Sequence, residues 1–118
     1  MGLRVVNAYR GTIWVSIVSP DNWCGLSFPG AYPWGKAGWW KIEPSISKYI
    51  IGGDLKLAYH YYVNAHARDA GWGDSISTTV PFDRPFEDCL DTDFDEWTRV
   101  WFIDLYPVTK NFQLTLHA

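Results

Sequence analysis

Between Leu55 and His66 the apolar and polar positions alternate. Leu55, Leu57, Tyr59, Tyr61, Val63 and Ala65 fall on one parity, while Lys56, Ala58, His60, Tyr62, Asn64 and His66 fall on the other. A period of two is the mark of a strand with one face in the core and one in water. The glycines at 71 and 73 flank Trp72, and glycine reaches backbone angles other residues avoid. A turn presenting the indole at its tip is expected there.

The same pattern recurs along the chain. Leu3 to Tyr9 and Thr12 to Val18 are two strands separated by Arg10-Gly11, which predicts a hairpin. Ser19 to Ala37 is rich in Pro and Gly yet holds Trp23, Phe28, Tyr32 and Trp34, so a long loop with a functional role is expected. Gly38 to Pro44 follows as a strand, with Trp40 and Ile42 on one face and Trp39, Lys41 and Glu43 on the other. Ser47 to Ile51, Ser75 to Phe82, Trp97 to Leu105 and Phe112 to Leu116 complete the set. Short strands punctuated by turn residues, with no helical period, predict an all-β protein: a small antiparallel β-sandwich of about eight strands, forming one domain over residues 1–118.

Composition narrows the functional classes. The chain has 118 residues, 47% hydrophobic and 19% charged, which suits a packed core and argues against disorder. No apolar run approaches the roughly 20 residues of a membrane span, and a net charge of -3 offers phosphate backbones no general attraction. Neither a membrane nor a nucleic acid is expected as a partner. The first residues lack the apolar run of a secretory signal, so a cytoplasmic location, or export by a non-classical route, is expected. In a cytosolic setting Cys24 and Cys89 are expected as buried thiols; a bridge between them would add about 4 kcal/mol by loop entropy.

The Gly-Trp-Trp of residues 38–40 leads into Glu43-Pro44, a Tyr cluster runs to Ala65, and Trp72-Gly73 follows. With Asn7, Phe86, Cys89, Phe102 to Asp104 and Phe112 to Leu116, this order resembles a widespread family of small uncharacterised microbial β domains. The resemblance spans most of the chain and implies the fold. It implies no activity, since that family has none established. The chain departs from the family pattern at Ser45-Ile46-Ser47, where Gly-acidic-Cys is common, and in the long 19–37 loop.

Aromatic residues are 18% of the chain, with 8 Trp. Trp14, Trp40, Trp97 and Trp101 lie in strand contexts and are expected in the core. Trp23, Trp34, Trp39 and Trp72 sit in loops, beside glycines or on polar parities, where an exposed ring offers flat apolar area at little entropic cost. Sugars stack their C–H faces on such rings while polar groups bind their hydroxyls. Tyr62, Asn64, His60 and Asp74 are the candidates for that second task. The expectation is a small ligand-binding protein, lectin-like and carbohydrate-binding. Two alternatives stand beside it: a small enzyme acting on an apolar metabolite with His60 or Asp74 as acid/base, and a subunit that buries its aromatics in a homo-oligomer.

No catalytic set, cofactor or metal is expected. His60 and His66 share a parity, but six residues of strand separate them by about 20 Å at roughly 3.3 Å per residue, too far for one ion. Asp83 to Glu96 carries seven acids against Arg84, a net -6, yet Phe102 stands where a calcium-binding hand needs its bidentate glutamate. A solvated acidic loop is expected.

Overall fold

The computed structural model describes residues 2–20, 34–53, 55, 60–90, 92–93, 96–106 and 110–117. Ten strands run through them: β1 Gly2–Asn7, β2 Ile13–Pro20, β3 Trp34–Ile42, β4 Ser47–Gly52, β5 Tyr61–His66, β6 Gly71–Trp72, β7 Ile76–Val80, β8 Phe86–Cys89, β9 Thr98–Leu105 and β10 Phe112–Leu116. No helix occurs among the described residues. The all-β expectation therefore holds.

Two sheets form. A three-stranded one has the order β10-β1-β4, and a seven-stranded one the order β7-β9-β5-β2-β3-β8, with β6 added beside β5. All pairs are antiparallel except β1 with β10, which is parallel. The expected hairpin between the first two strands does not form, because β1 and β2 belong to different sheets. Asn7 carries the chain across. Its Nδ2 donates to Gly11 O at 2.8 Å and Ile42 O at 2.9 Å, and its Oδ1 accepts from Tyr9 N at 2.8 Å. One amide thus meets three backbone groups, the carbonyls of Gly11 and Ile42 and the N–H of Tyr9.

The main core lies between the sheets. Leu3, Val5, Ile50 and Leu116 from the small sheet meet Ile13, Val15, Ile17, Val63, Ala65 and Leu105 from the large one. For Ile13, Val15, Ile17, Val63, Ala65 and Leu116 this is the parity legible in the sequence. The opposite face of the large sheet is covered too, because the sheet curls so that β7, β8 and β9 approach over β2, β3 and β5. Val18, Val80, Phe86 and Phe102 form a second core inside that curl. The face carrying Tyr62, Asn64 and His66, expected in water, consequently loses much of it: Asn64 is 7% exposed.

Other expectations change for related reasons. Trp72 does not tip a turn; it lies in β6, paired with Ala65, and the turn is at Ala67–Ala70, closed by Ala67 N to Ala70 O at 2.8 Å. Gly73 is needed instead for close approach, since at φ 149° a Cβ there would lie 2.0 Å from Trp101 O. Trp101 is 52% exposed on β9 rather than in the core, while Trp97 is buried. The acidic segment is not wholly loop, for Phe86–Cys89 pairs with β3 as an edge strand. Cys89 is disulfide-bonded, not a thiol. Cys24 and Trp23 lie outside the described residues, as does most of the 19–37 loop.

Lys36 is 1% exposed inside the curl. Its ammonium donates to Thr79 O and Thr92 O, each at 2.6 Å, and to Thr78 Oγ1 at 3.1 Å, and it lies 5.0 Å from the Trp97 ring centroid. A charge so deep is tolerated because acceptors replace its water. These bonds tie β3 to β7 and to the acidic segment.

Candidate functional site

Direct cross-strand partners share a face of the sheet, so the pairing of Trp14 with His66 places both rings side by side on the face away from the main core. A register shift in the β2–β3 ladder follows Val15, which pairs with Trp40, while Ser16 pairs with Gly38. Trp39 is the extra residue of that bulge, and its ring joins the same face. Gly38 permits the arrangement: a Cβ there would lie 2.8 Å from Ser16 Cβ and 2.9 Å from Phe86 Cε1.

The result is a cluster of rings centred on His66. Its imidazole stacks on Trp14 at 5.6 Å and 20°, and meets Trp39 edge-on at 4.9 Å and Phe82 edge-on at 5.3 Å. Trp39 and Phe82 stack at 5.4 Å and 9°. Pro81 O accepts a hydrogen bond from Trp39 Nε1 at 2.7 Å, which fixes the indole's rotation. Burial among these rings lowers the His66 pKa from the ordinary 6.5, so the cluster's centre stays neutral near pH 7. His66 Nδ1 is buried with no hydrogen-bond partner.

Trp14, Trp39, His66 and Phe82 line an open cleft of about 310 Å³. On its far side Trp14 also walls a basin of about 450 Å³ shared with Tyr9, Arg10, Thr12, Arg68 and Asp69. Trp39 in turn walls a hollow of about 430 Å³ with Gly38, Trp40, Phe86 and Glu87. Three depressions thus run together, separated by two indoles. The basin is polar: Asp69 pairs with Arg10 and accepts from Tyr9 Oη at 2.8 Å. The Tyr9 bond lowers the Asp69 pKa, with Arg10 adding to it, and the same bond raises that of Tyr9.

The residues anticipated from sequence are distributed over several places. Trp39 is in the cleft. Trp34 packs beside Tyr62 at 5.9 Å, and Tyr62 stacks with His60 at 5.9 Å and 10°. His60 Nδ1 bonds Asp104 Oδ1 at 2.7 Å. Burial, with Asp104 second, raises the Tyr62 pKa. Asn64 Nδ2 donates to Trp101 O at 2.7 Å. Trp72 meets Tyr9 edge-on at 5.1 Å and donates to His117 O at 3.1 Å. It shares the face of Ala65, so the sheet separates it from Trp39. Asp74 is exposed.

Trp14, His66 and Phe82 were not among the anticipated ligand-binding residues. The signal for His66 was its polar parity; nothing local announced Trp14 or Phe82, which join it across strands. Among the described residues no three His, Cys, Asp or Glu gather closely enough to hold a metal ion, and no helix is long and apolar enough to cross a membrane. No family model, curated protein or solved structure matches the chain.

Proposed function

We propose that this protein is a small ligand-binding module of lectin-like type, taking a carbohydrate chain along the basin, cleft and hollow joined by Trp14 and Trp39. The observation that carries the reading is the double duty of Trp14, one indole walling both a polar basin and a ring-lined cleft. A pyranose is amphipathic in the same sense. Its C–H face packs on an aromatic ring, while its hydroxyls need donors and acceptors such as those of Tyr9, Thr12, Arg10 and Asp69. Consecutive depressions suit an oligomer of such units better than a single compact metabolite, and their openness suits binding rather than enclosed chemistry.

A glycan array probed with the labelled full chain, followed by a tryptophan-fluorescence titration with the best oligosaccharide, tests this. Saturable binding is expected, weakened about tenfold or more by Trp14→Ala, which removes a ring worth roughly 1.4 kcal/mol of contact. Absence of any array signal, or a Trp14→Ala variant that binds as wild type, would remove the proposal.

A further inference from the structure

On the other side of the molecule, the outer face of the three-stranded sheet holds a cation with no counter-charge among the described residues. Arg4 sits at the centre of β1 on the face opposite Leu3 and Val5. An opposite charge directly across the ladder would stabilise a charge at such a position. Here the two cross-strand partners are Tyr49 of β4 and Gln113 of β10, both neutral. Among the described residues Arg4 forms no ion pair. Its Nε is buried from solvent and has no hydrogen-bond acceptor. That donor has lost its water without gaining a partner, an arrangement native structures seldom leave uncompensated.

The side chain lines a concavity of about 270 Å³ with Gly2, Tyr49, Asn111, Phe112 and Gln113. Among the described residues no carboxylate lines it. What the lining offers is mainly donors: the guanidinium fork, which has no acceptor at all, the Gln113 amide and the Tyr49 hydroxyl. Asn111 Oδ1 is already engaged by Gly2 N at 3.0 Å. A hollow of this size, positive and rich in donors, repels metal ions and ammonium groups. It matches a small oxyanion whose oxygens can accept two parallel bonds from a guanidinium.

We infer that Arg4, with Gln113 and Tyr49, forms an oxyanion-binding site for a carboxylate or phosphate group. Its location behind the main core makes it independent of the cleft at Trp14, and either can exist without the other.

The test is a titration of the isotopically labelled full chain by nuclear magnetic resonance, with sodium phosphate in one arm and sodium acetate in the other, at ionic strength held constant with chloride. In at least one arm, saturable shifts of the Arg4 Nε–H and Gln113 side-chain amide signals are expected. Saturation by phosphate alone assigns a tetrahedral anion; saturation by acetate assigns a carboxylate. Arg4→Gln should abolish the saturable response, and Arg4→Lys, which keeps charge but loses the fork, should weaken it about tenfold. Should Arg4→Gln fail to fold, Gln113→Ala at an exposed position serves instead and should weaken binding several-fold. Shifts that stay linear to about 50 mM in both arms, or that persist unchanged in Arg4→Gln or Gln113→Ala, overturn the site.

Discussion

The His66 imidazole lies against the Trp14 indole with ring centroids 5.6 Å apart and planes 20° from parallel. Pairing across β2 and β5 sets this contact, which adds to the burial that lowers the histidine's pKa. A ring partly buried among aromatic neighbours loses water, which penalises imidazolium more than imidazole.

Stability should therefore depend on pH through this residue. The folded pKa lies below the unfolded value near 6.5, so the unfolded chain takes up a proton that the folded chain resists. The stability is fully present above about pH 6.5 and declines as the pH falls toward the folded value. Urea midpoints measured from pH 7.5 to 5.5 should drop in wild type. They should drop less in His66→Phe, which keeps a ring in place and removes the unpartnered Nδ1. Equal slopes for the two proteins would contradict this account.

The stacked pair of Trp39 and Phe82 should be coupled energetically. Phe82 is 49% exposed, so Phe82→Ala alone is expected to cost little. A double-mutant cycle with Trp39→Leu should return a coupling of about 0.5–1.5 kcal/mol in denaturant unfolding. A value within error of zero would mean that the rings are adjacent without attraction.

Lys36→Met should destabilise the fold by about 3 kcal/mol, although the new side chain is apolar and similar in length. The loss arises because the part-buried Thr79 O and Thr92 O are left without their donor. Thermal or chemical unfolding measures it. A cost under about 1 kcal/mol would show that water replaces the ammonium freely.

Asn7→Ala removes two donors and one acceptor at the crossover between the sheets, and a loss of about 3 kcal/mol is expected. Asn7→Asp should do no better at neutral pH, since a carboxylate would face two carbonyl oxygens. A wild-type midpoint for Asn7→Asp would remove the bonding scheme.

Where the sequence was legible, the reason is local. Val15 and Ile17 of β2, Val63 and Ala65 of β5, and Leu116 of β10 show their core face by alternation alone, because a pleated strand sends neighbours to opposite sides. The Gly-Trp-Trp motif likewise has a structural explanation in place. Gly38 admits Ser16 and Phe86, Trp39 joins the outer rings and Trp40 packs on the main core.

What the residue pattern by itself determined is the all-β class, most strand positions and the inward parity of β2, β5 and β10, since these depend on spacing within one segment. Tertiary structure alone decided which strands became neighbours, and with that the curl that buries Asn64 and Lys36, the separation of Trp72 from Trp39, and the meeting of Trp14, His66 and Phe82. Alternation records that a side chain faces one side of its own strand. It carries no record of which distant strand lies alongside, because that choice is made by hydrogen bonds and packing between segments far apart in the chain.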